Sequence, residues 1–188
     1  IASLRRSFAD TPCSLASHSS AEIIKTLLLR EGDLGLSLHN PEHPDIHCQP
    51  LAQGKLQLLA PHGWLQPRQK DIAVQDLAGQ PLVGLEGHDP LSALLESKLQ
   101  NLRPAPLIQI RVQTQQMMRS MVEAGEGLAI VDPFTALGAK AAGLDVCPLS
   151  PPQLISLYAL TLAHSTPSPA ALALIEKVTE NAQALLTG

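Results

Sequence analysis

Residues 121–137 read MVEAGEGLAIVDPFTAL. The first residues of this stretch finish a helix expected over 115–124, with Met117, Met118, Met121 and Val122 turned inward as core filler. Gly125 is a natural stop, because glycine takes the left-handed conformation in which helices end. The apolar run 128–131 then makes a buried strand. Asp132 followed by Pro133 is an N-cap with proline at the first helical position. It opens a helix over 133–142 that Gly143 closes. Helix, buried strand and helix in such quick succession are the working unit of an α/β sheet.

The same alternation runs outward from there. Upstream, 107–112 alternates as a strand. Residues 82–85 form a short apolar strand, and a helix with Leu91, Leu94, Leu95 and Leu99 follows. Residues 61–70 are polar and broken, 51–60 have strand character, and 40–50 read as a loop rich in proline and histidine. Before that, 34–38 is a strand and 21–31 a helix with Ile23, Ile24, Leu27 and Leu28 on one face. Gly32 is expected to stop that helix. A short strand over 13–17 would complete a β-α-β segment, the signature of parallel pairing. Residues 1–8 read as the end of a helix, with Ile1, Leu4 and Phe8 on one stripe. Downstream, Pro151-Pro152 precedes a strand over 154–162. Ser168-Pro169 opens a last helix striped by Leu172, Ile175, Val178 and Ala182.

Composition limits the function. The chain has 188 residues, 45% hydrophobic and 16% charged, which suits a soluble globular protein. Aromatic residues are 2% of the chain, namely Phe8, Trp64, Phe134 and Tyr158. The core is therefore aliphatic, and platforms for stacking bases or sugars are not expected. Thirteen Lys and Arg stand against 17 Asp and Glu, a net charge of -4. Without clustered positive charge the chain lacks the means to displace counterions from phosphates, so it is not itself a nucleic-acid binder. Cys13, Cys48 and Cys147 have no CxxC spacing, which fits idle thiols in a reducing cytoplasm. No apolar run is long enough for a membrane span.

Four helices are expected to begin directly after strands, each with an N-cap. Ser19 lies three residues before Glu22, the spacing of a capping box. Asp89 precedes Pro90, Thr114 follows the strand ending at Val112, and Asp132 precedes Pro133. Caps of this kind satisfy orphan backbone donors. Ligands in parallel α/β sheets, however, bind beyond the carboxyl ends of the strands, where these caps lie. Free N–H groups and partial positive charge there suit a carboxylate. Glu86, Asp89 and Asp132 supply the opposite charge, and His39 and His88 can donate or accept. That combination points to a ligand with both a carboxylate and an amine or guanidine.

Other chemistries find less support. His39, His43, His47 and Cys48 lie near Glu42 and Asp45, an inventory that zinc or copper would accept. Pro41, Pro44 and Pro50 break any regular scaffold there, so a solvated loop is the reading and no metal is assigned. No GxSxG elbow, phosphate loop, dinucleotide fingerprint or HExxH occurs. No catalytic residue and no cofactor is assigned, and the chain is read as not an enzyme.

Five segments, in order, resemble LysR-type transcriptional regulators. GDLGL at 32–36 resembles the family's DLG strand, and LQLLAP at 56–61 resembles the strand that crosses between lobes. DLAGQPLV at 76–83 resembles the family's DL…PL segment. The stretch 121–137 resembles its V.AG.G…P segment, and Ser168-Pro169-Ala170 the start of its last helix. The residues VDPFTALGAKAAGL (131–144) further resemble a subgroup that regulates lysine biosynthesis and opine use.

The resemblance implies two Rossmann-like α/β lobes joined by crossing strands, like a type 2 periplasmic binding protein, with an effector in the cleft between them. Lobe I would be 1–52 with 155–188, clipped at its start, and lobe II 53–154. The implied effector positions are Ser19, Ser20, Ser37 and His39 from lobe I. Lobe II would add Glu86, His88, Asp89, Thr114, Asp132 and Phe134. The effector would be an amino acid, opine or other carboxylate. The resemblance also implies a cytoplasmic homodimer, tetrameric at full length. DNA would be contacted only through a winged helix-turn-helix missing from this chain. An exported solute-binding protein shares the architecture and is the alternative, with a small enzyme behind it. Trp64 stands where the family has a His-Pro region.

Overall fold

A computed structural model describes residues 2–66, 68–86 and 90–187. The chain divides into two compact units, Ile1–Gln53 with Ser156–Gly188 (unit 1) and Gly54–Ile155 (unit 2).

Unit 1 contains α1 (Ala2–Ser7), α2 (Ser20–Leu28), β1 (Gly35–Ser37), most of β2 (Ile46–Lys55) and most of β9 (Leu154–Leu162), and it ends in α6 (Pro169–Thr187). Its sheet has the order β1-β9-β2, and β1 runs antiparallel to β9 with Leu36 opposite Ala159. Alternation along β9 sends side chains to two layers. Leu160 packs with Leu27 and Ile46 on the side of α2. Ala159 packs with Leu51 and Ile175 on the side of α6.

The expected β-α-β segment is not formed. Residues 12–19 lie in neither helix nor strand, and Leu15 is 77% exposed. With no apolar surface to cover and no neighbouring ladder, the Cys13 and Leu15 alternation gains nothing from becoming a strand. Helix α2 also stops earlier than Gly32 predicts. Arg30 adopts the left-handed conformation (φ 57°). The amides of Arg30 and Glu31 bond back to the carbonyls of Leu27 and Thr26, the Schellman arrangement with arginine where glycine is usual. The loop expected over 40–50 becomes strand from Ile46 onward. Ile46 is buried and Cys48 half-buried on one side of β2, and β2 is an edge of its sheet, where Pro50 is tolerated.

Unit 2 holds β3 (Gln57–Ala60), β4 (Ile72–Ala73), a 3-10 turn (Val74–Leu77), β5 (Pro81–Leu85), α3 (Pro90–Leu99), β6 (Leu107–Val112), α4 (Gln115–Glu123), β7 (Ala129–Val131), α5 (Pro133–Ala141) and β8 (Asp145–Ser150). One set of strands is ordered β4-β8-β3-β7, and β5 pairs with β6 in parallel. A parallel bridge from Leu82 to Leu128 joins the two sets. Strand β3 is antiparallel to β7 and β8, so the remaining strands run one way.

The core is aliphatic, with Leu56, Leu58, Leu59, Leu77, Val122 and Val131 fully buried. Inward-facing residues depart from expectation at helix flanks: Met118 and Val122 are buried, but Met117 is 46% exposed. Leu94 and Leu172 likewise face outward, while Leu95, Leu99, Ala171 and Ile175 are inside. Gly127 is required, because at φ 143° a Cβ would lie 2.7 Å from the Pro81 carbonyl oxygen. That close approach seats the entry of β7 beside β5.

Trp64 has a structural role. The amides of Trp64 and Leu65 bond to the Pro61 carbonyl (3.1 Å) and the Asp145 carboxylate (2.8 Å). This turn folds both side chains against the unit 2 core. No helix among the described residues is long and apolar enough to cross a membrane.

Candidate functional site

In unit 2, β5 runs parallel to β6 and is bridged in parallel to Leu128 beside β7, so the carboxyl ends of the three strands lie at one end of the sheet. The amide of Glu86, just past β5, bonds to the carbonyl of Val112 at the end of β6 (2.7 Å). Thr114 caps α4 from the end of β6, and Asp132 caps α5 from the end of β7. Gln115 links the two helix starts: the Asp132 amide donates to its side-chain oxygen at 3.4 Å. Sequence reading missed Gln115, which carries no motif; its partner lies 17 residues away. Glu86 and Thr114 are exposed, Phe134 is half-buried and Asp132 is 4% exposed. His88 and Asp89 lie outside the described residues.

The two caps differ in what they leave open. One oxygen of Asp132 accepts from the amides of Phe134 (2.8 Å) and Thr135 (3.0 Å). Its other oxygen accepts from the Thr135 hydroxyl. Pro133 has no N–H to offer, and the Ala136 amide bonds to the Asp132 carbonyl. Every donor of the first turn of α5 is therefore satisfied, with a carboxylate already in the place an anion would take.

At α4 the cap is a neutral hydroxyl. Thr114 accepts from the Met117 amide at 3.2 Å, and its carbonyl accepts from Met118. The amides of Gln115 and Gln116 precede these and have no intrahelical acceptor. The partial positive charge of the helix end is left uncancelled by any carboxylate on the cap.

In unit 1, Ser19 and Ser20 start α2. The capping box forms as predicted: the Glu22 amide donates to Ser19 Oγ (3.3 Å), and the Ser19 amide to Glu22 Oε2 (3.1 Å). These hydrogen bonds hold the Glu22 carboxyl below its usual range, first through the Ser19 amide and then its hydroxyl, with His18 and Lys25 adding charge. The start of α2 thus carries its own anion. Ser37 is buried at the end of β1, and its hydroxyl accepts from the amide of His39 (3.0 Å). The short return from α2 to β1 makes helix and strand run in opposite directions, and Gly35 lies against Ile23 and Leu27. Ser20 and Ser37 therefore lie toward the same end of unit 1. His43 Nδ1 accepts from the Asp45 amide (3.2 Å). Among the described residues no three His, Cys, Asp or Glu side chains are gathered as a metal shell.

Cys147 is buried in the unit 2 core and its thiol is pushed up to about 11, mainly by burial and then by Asp71 and Asp145. It stays a neutral thiol at physiological pH and is no nucleophile. Cys48 is raised in the same direction by burial.

Comparison with known proteins places this geometry. The family model described as the LysR substrate binding domain matches residues 1–183. An HTH-type transcriptional regulator, DgcR of a Pseudoalteromonas species, is 24% identical over 171 residues. The match covers 84% of this chain, which spans 59% of the length of that relative. The CcmR regulatory domain of Synechocystis PCC6803, in complex with 2-PG, superposes with a TM-score of 0.80 at 14% identity, covering 96% of this chain and 88% of that one. The effector binding domain of QuiR in complex with shikimate gives a TM-score of 0.74 at 20% identity, covering 95% and 85%.

Proposed function

The chain belongs to the family of LysR substrate binding domains, with their α/β, periplasmic-binding-protein-like fold, and from that premise we propose that it is the effector sensor of a transcriptional regulator. Its effector is a small molecule with a carboxylate and an amine or guanidine, amino-acid-like as in the lysine and opine subgroup. The carboxylate is received at the start of α4 by the Thr114 hydroxyl and the amides of Gln115 and Gln116. Glu86 takes the cationic end.

The observation that carries this reading is the first turn of α4, where the Gln115 and Gln116 amides have no acceptor among the described residues, beside the filled first turn of α5. An anion gains from free donors and positive helix-end charge at the first and finds neither at the second. Ser20, Ser37 and His39 are the candidate positions in unit 1. Asp132 acts by holding α5 rather than by touching the ligand.

The protein performs no chemistry on its effector and needs no cofactor. It works in the cytoplasm as a homodimer and reaches DNA through a separate helix-turn-helix domain. Binding favours one of two arrangements of the regulator, a population shift that needs only differential affinity. Calorimetry with amino acids, dicarboxylates and aromatic acids tests the ligand class. Saturable binding by a carboxylate that also bears an amine, with the ligand recovered unchanged, is expected. Binding of a purely apolar or purely cationic molecule in preference to all of these overturns the reading.

A further inference from the structure

Unit 2 contains a small cavity that the effector reading does not use. It lies between α3 and the paired strands β5 and β6, with a volume of about 30 Å3. Its floor is Gly84. A Cβ there would come 2.9 Å from Ile108 Cγ2 and 3.5 Å from Arg111 Nη1, so the sheet is open at this point because β5 carries no side chain. Strand β6 has one more residue between Leu107 and Ile110 than β5 has between Pro81 and Val83. That bulge turns Ile108 to the face that Arg111 occupies; simple alternation would put the two on opposite faces. Ile108 thereby becomes a wall of the cavity.

The roof is α3. Ser92, Leu95 and Leu99 recur at helical spacing, and all three are buried and line the cavity. Leu95 and Leu99 belong to the apolar core of unit 2. Ser92 is 5% exposed, and its Oγ is the one buried side-chain polar atom without a hydrogen bond among the described residues. A hydroxyl buried in this way has lost its water and gained no bond in return. The space it lines exceeds the roughly 10–15 Å3 that one water needs, so there is room for a partner to enter. The mouth sets the charge of that partner. Glu96 and Arg111 both line the cavity, and they pair at 2.9 Å. The same guanidinium nitrogen donates to the Leu85 carbonyl at 3.2 Å. The two charges answer each other, so neither sign is offered to an ion.

We propose that this cavity is a second ligand site, which takes a small neutral molecule with an apolar body and one hydrogen-bonding oxygen, of the size and chemistry of a short-chain alcohol. The Ser92 hydroxyl both donates and accepts, so it serves an alcohol oxygen in either sense. The apolar body rests on Gly84 between Leu95, Leu99 and Ile108. At about 30 Å3 the cavity admits about two or three water-sized groups, which excludes larger rings. The site does not depend on the reading given to the start of α4.

The test is an NMR titration of the intact chain with ethanol, beside sodium acetate and ethylammonium chloride as charged molecules of similar size. Saturable shifts of the Gly84 and Ser92 amides are expected with ethanol and not with the two ions. So few atoms limit the Kd to the order of millimolar or weaker. Ser92→Ala removes the unpaired hydroxyl and puts the best helix former in its place. It should fold with undiminished stability and bind ethanol about fivefold more weakly, the loss of one neutral hydrogen bond. Thr114→Asp should leave ethanol binding unchanged, which separates the fate of this site from that of the effector site. Absence of saturable shifts at the two amides with ethanol, a stronger response to either ion, or equal affinity in wild type and Ser92→Ala overturns the proposal.

Discussion

Helices α4 and α5 start a short distance apart in the same unit, after parallel strands, and both are capped by a side chain at the N-cap. They nevertheless do opposite things. At α5 a buried aspartate satisfies its own helix completely, so the cap is a structural element. At α4 a threonine satisfies one donor and leaves two, so the cap is also a partial binding site. The lesson is that a helix start after a strand is only a permissive position. The charge of the cap residue and the number of amides it consumes decide whether a ligand can use it.

Stability gives the largest expected contrast. Asp132→Ala removes a buried carboxylate with three donors and should destabilise unit 2 by about 2 kcal/mol, the upper end for a lost cap. Thr114→Ala loses one exposed hydrogen bond and should cost about 0.5–1 kcal/mol. Urea denaturation of both variants measures the gap; equal losses would erase the distinction between the two caps.

A smaller effect comes from α2, which sharpens the comparison from the other side. The Glu22 carboxyl has a lowered pKa because its charged form is hydrogen-bonded to Ser19. A depressed carboxyl stabilises the fold above its unfolded value, and that contribution is lost as pH falls through the folded value. As pH falls through that lowered value the cap of α2 should loosen, while the α4 cap, which has no titrating group, should not. Amide exchange at Ser19 and Met117 across that range reads the difference.

Much of this was legible in the sequence, for local reasons. Residues 121–137 read as the end of a helix, a strand and the start of a helix, and the structure forms the end of α4, β7 and the start of α5 there. Caps depend on a few neighbouring residues, so Ser19, Thr114 and Asp132 could be assigned from type and spacing. What escaped is tertiary. Strand β8 is not among the expected elements, and it carries Pro148, a residue that disfavours a strand with neighbours on both sides. In the structure, pairing with β4 begins only at Leu149, so the proline lies where β8 has a ladder partner on one side alone. The supposed strand at 13–17 failed because period alone cannot supply a neighbour. Gln115 was invisible because its partner, the Asp132 amide, is reached only after the chain has folded back from β7. For the same reason the sequence showed Thr114 and Asp132 as equivalent caps. Only the hydrogen bonds distinguish them.

The most direct test of the account is Thr114→Asp. Aspartate caps a helix about as well as threonine, so the melting temperature should hardly change. The new carboxylate occupies the place at α4 that Asp132 already fills at α5, so calorimetry should show loss of binding of a carboxylate effector. Unchanged affinity for that effector in a normally folded Thr114→Asp chain would contradict the claim that the open start of α4 receives it.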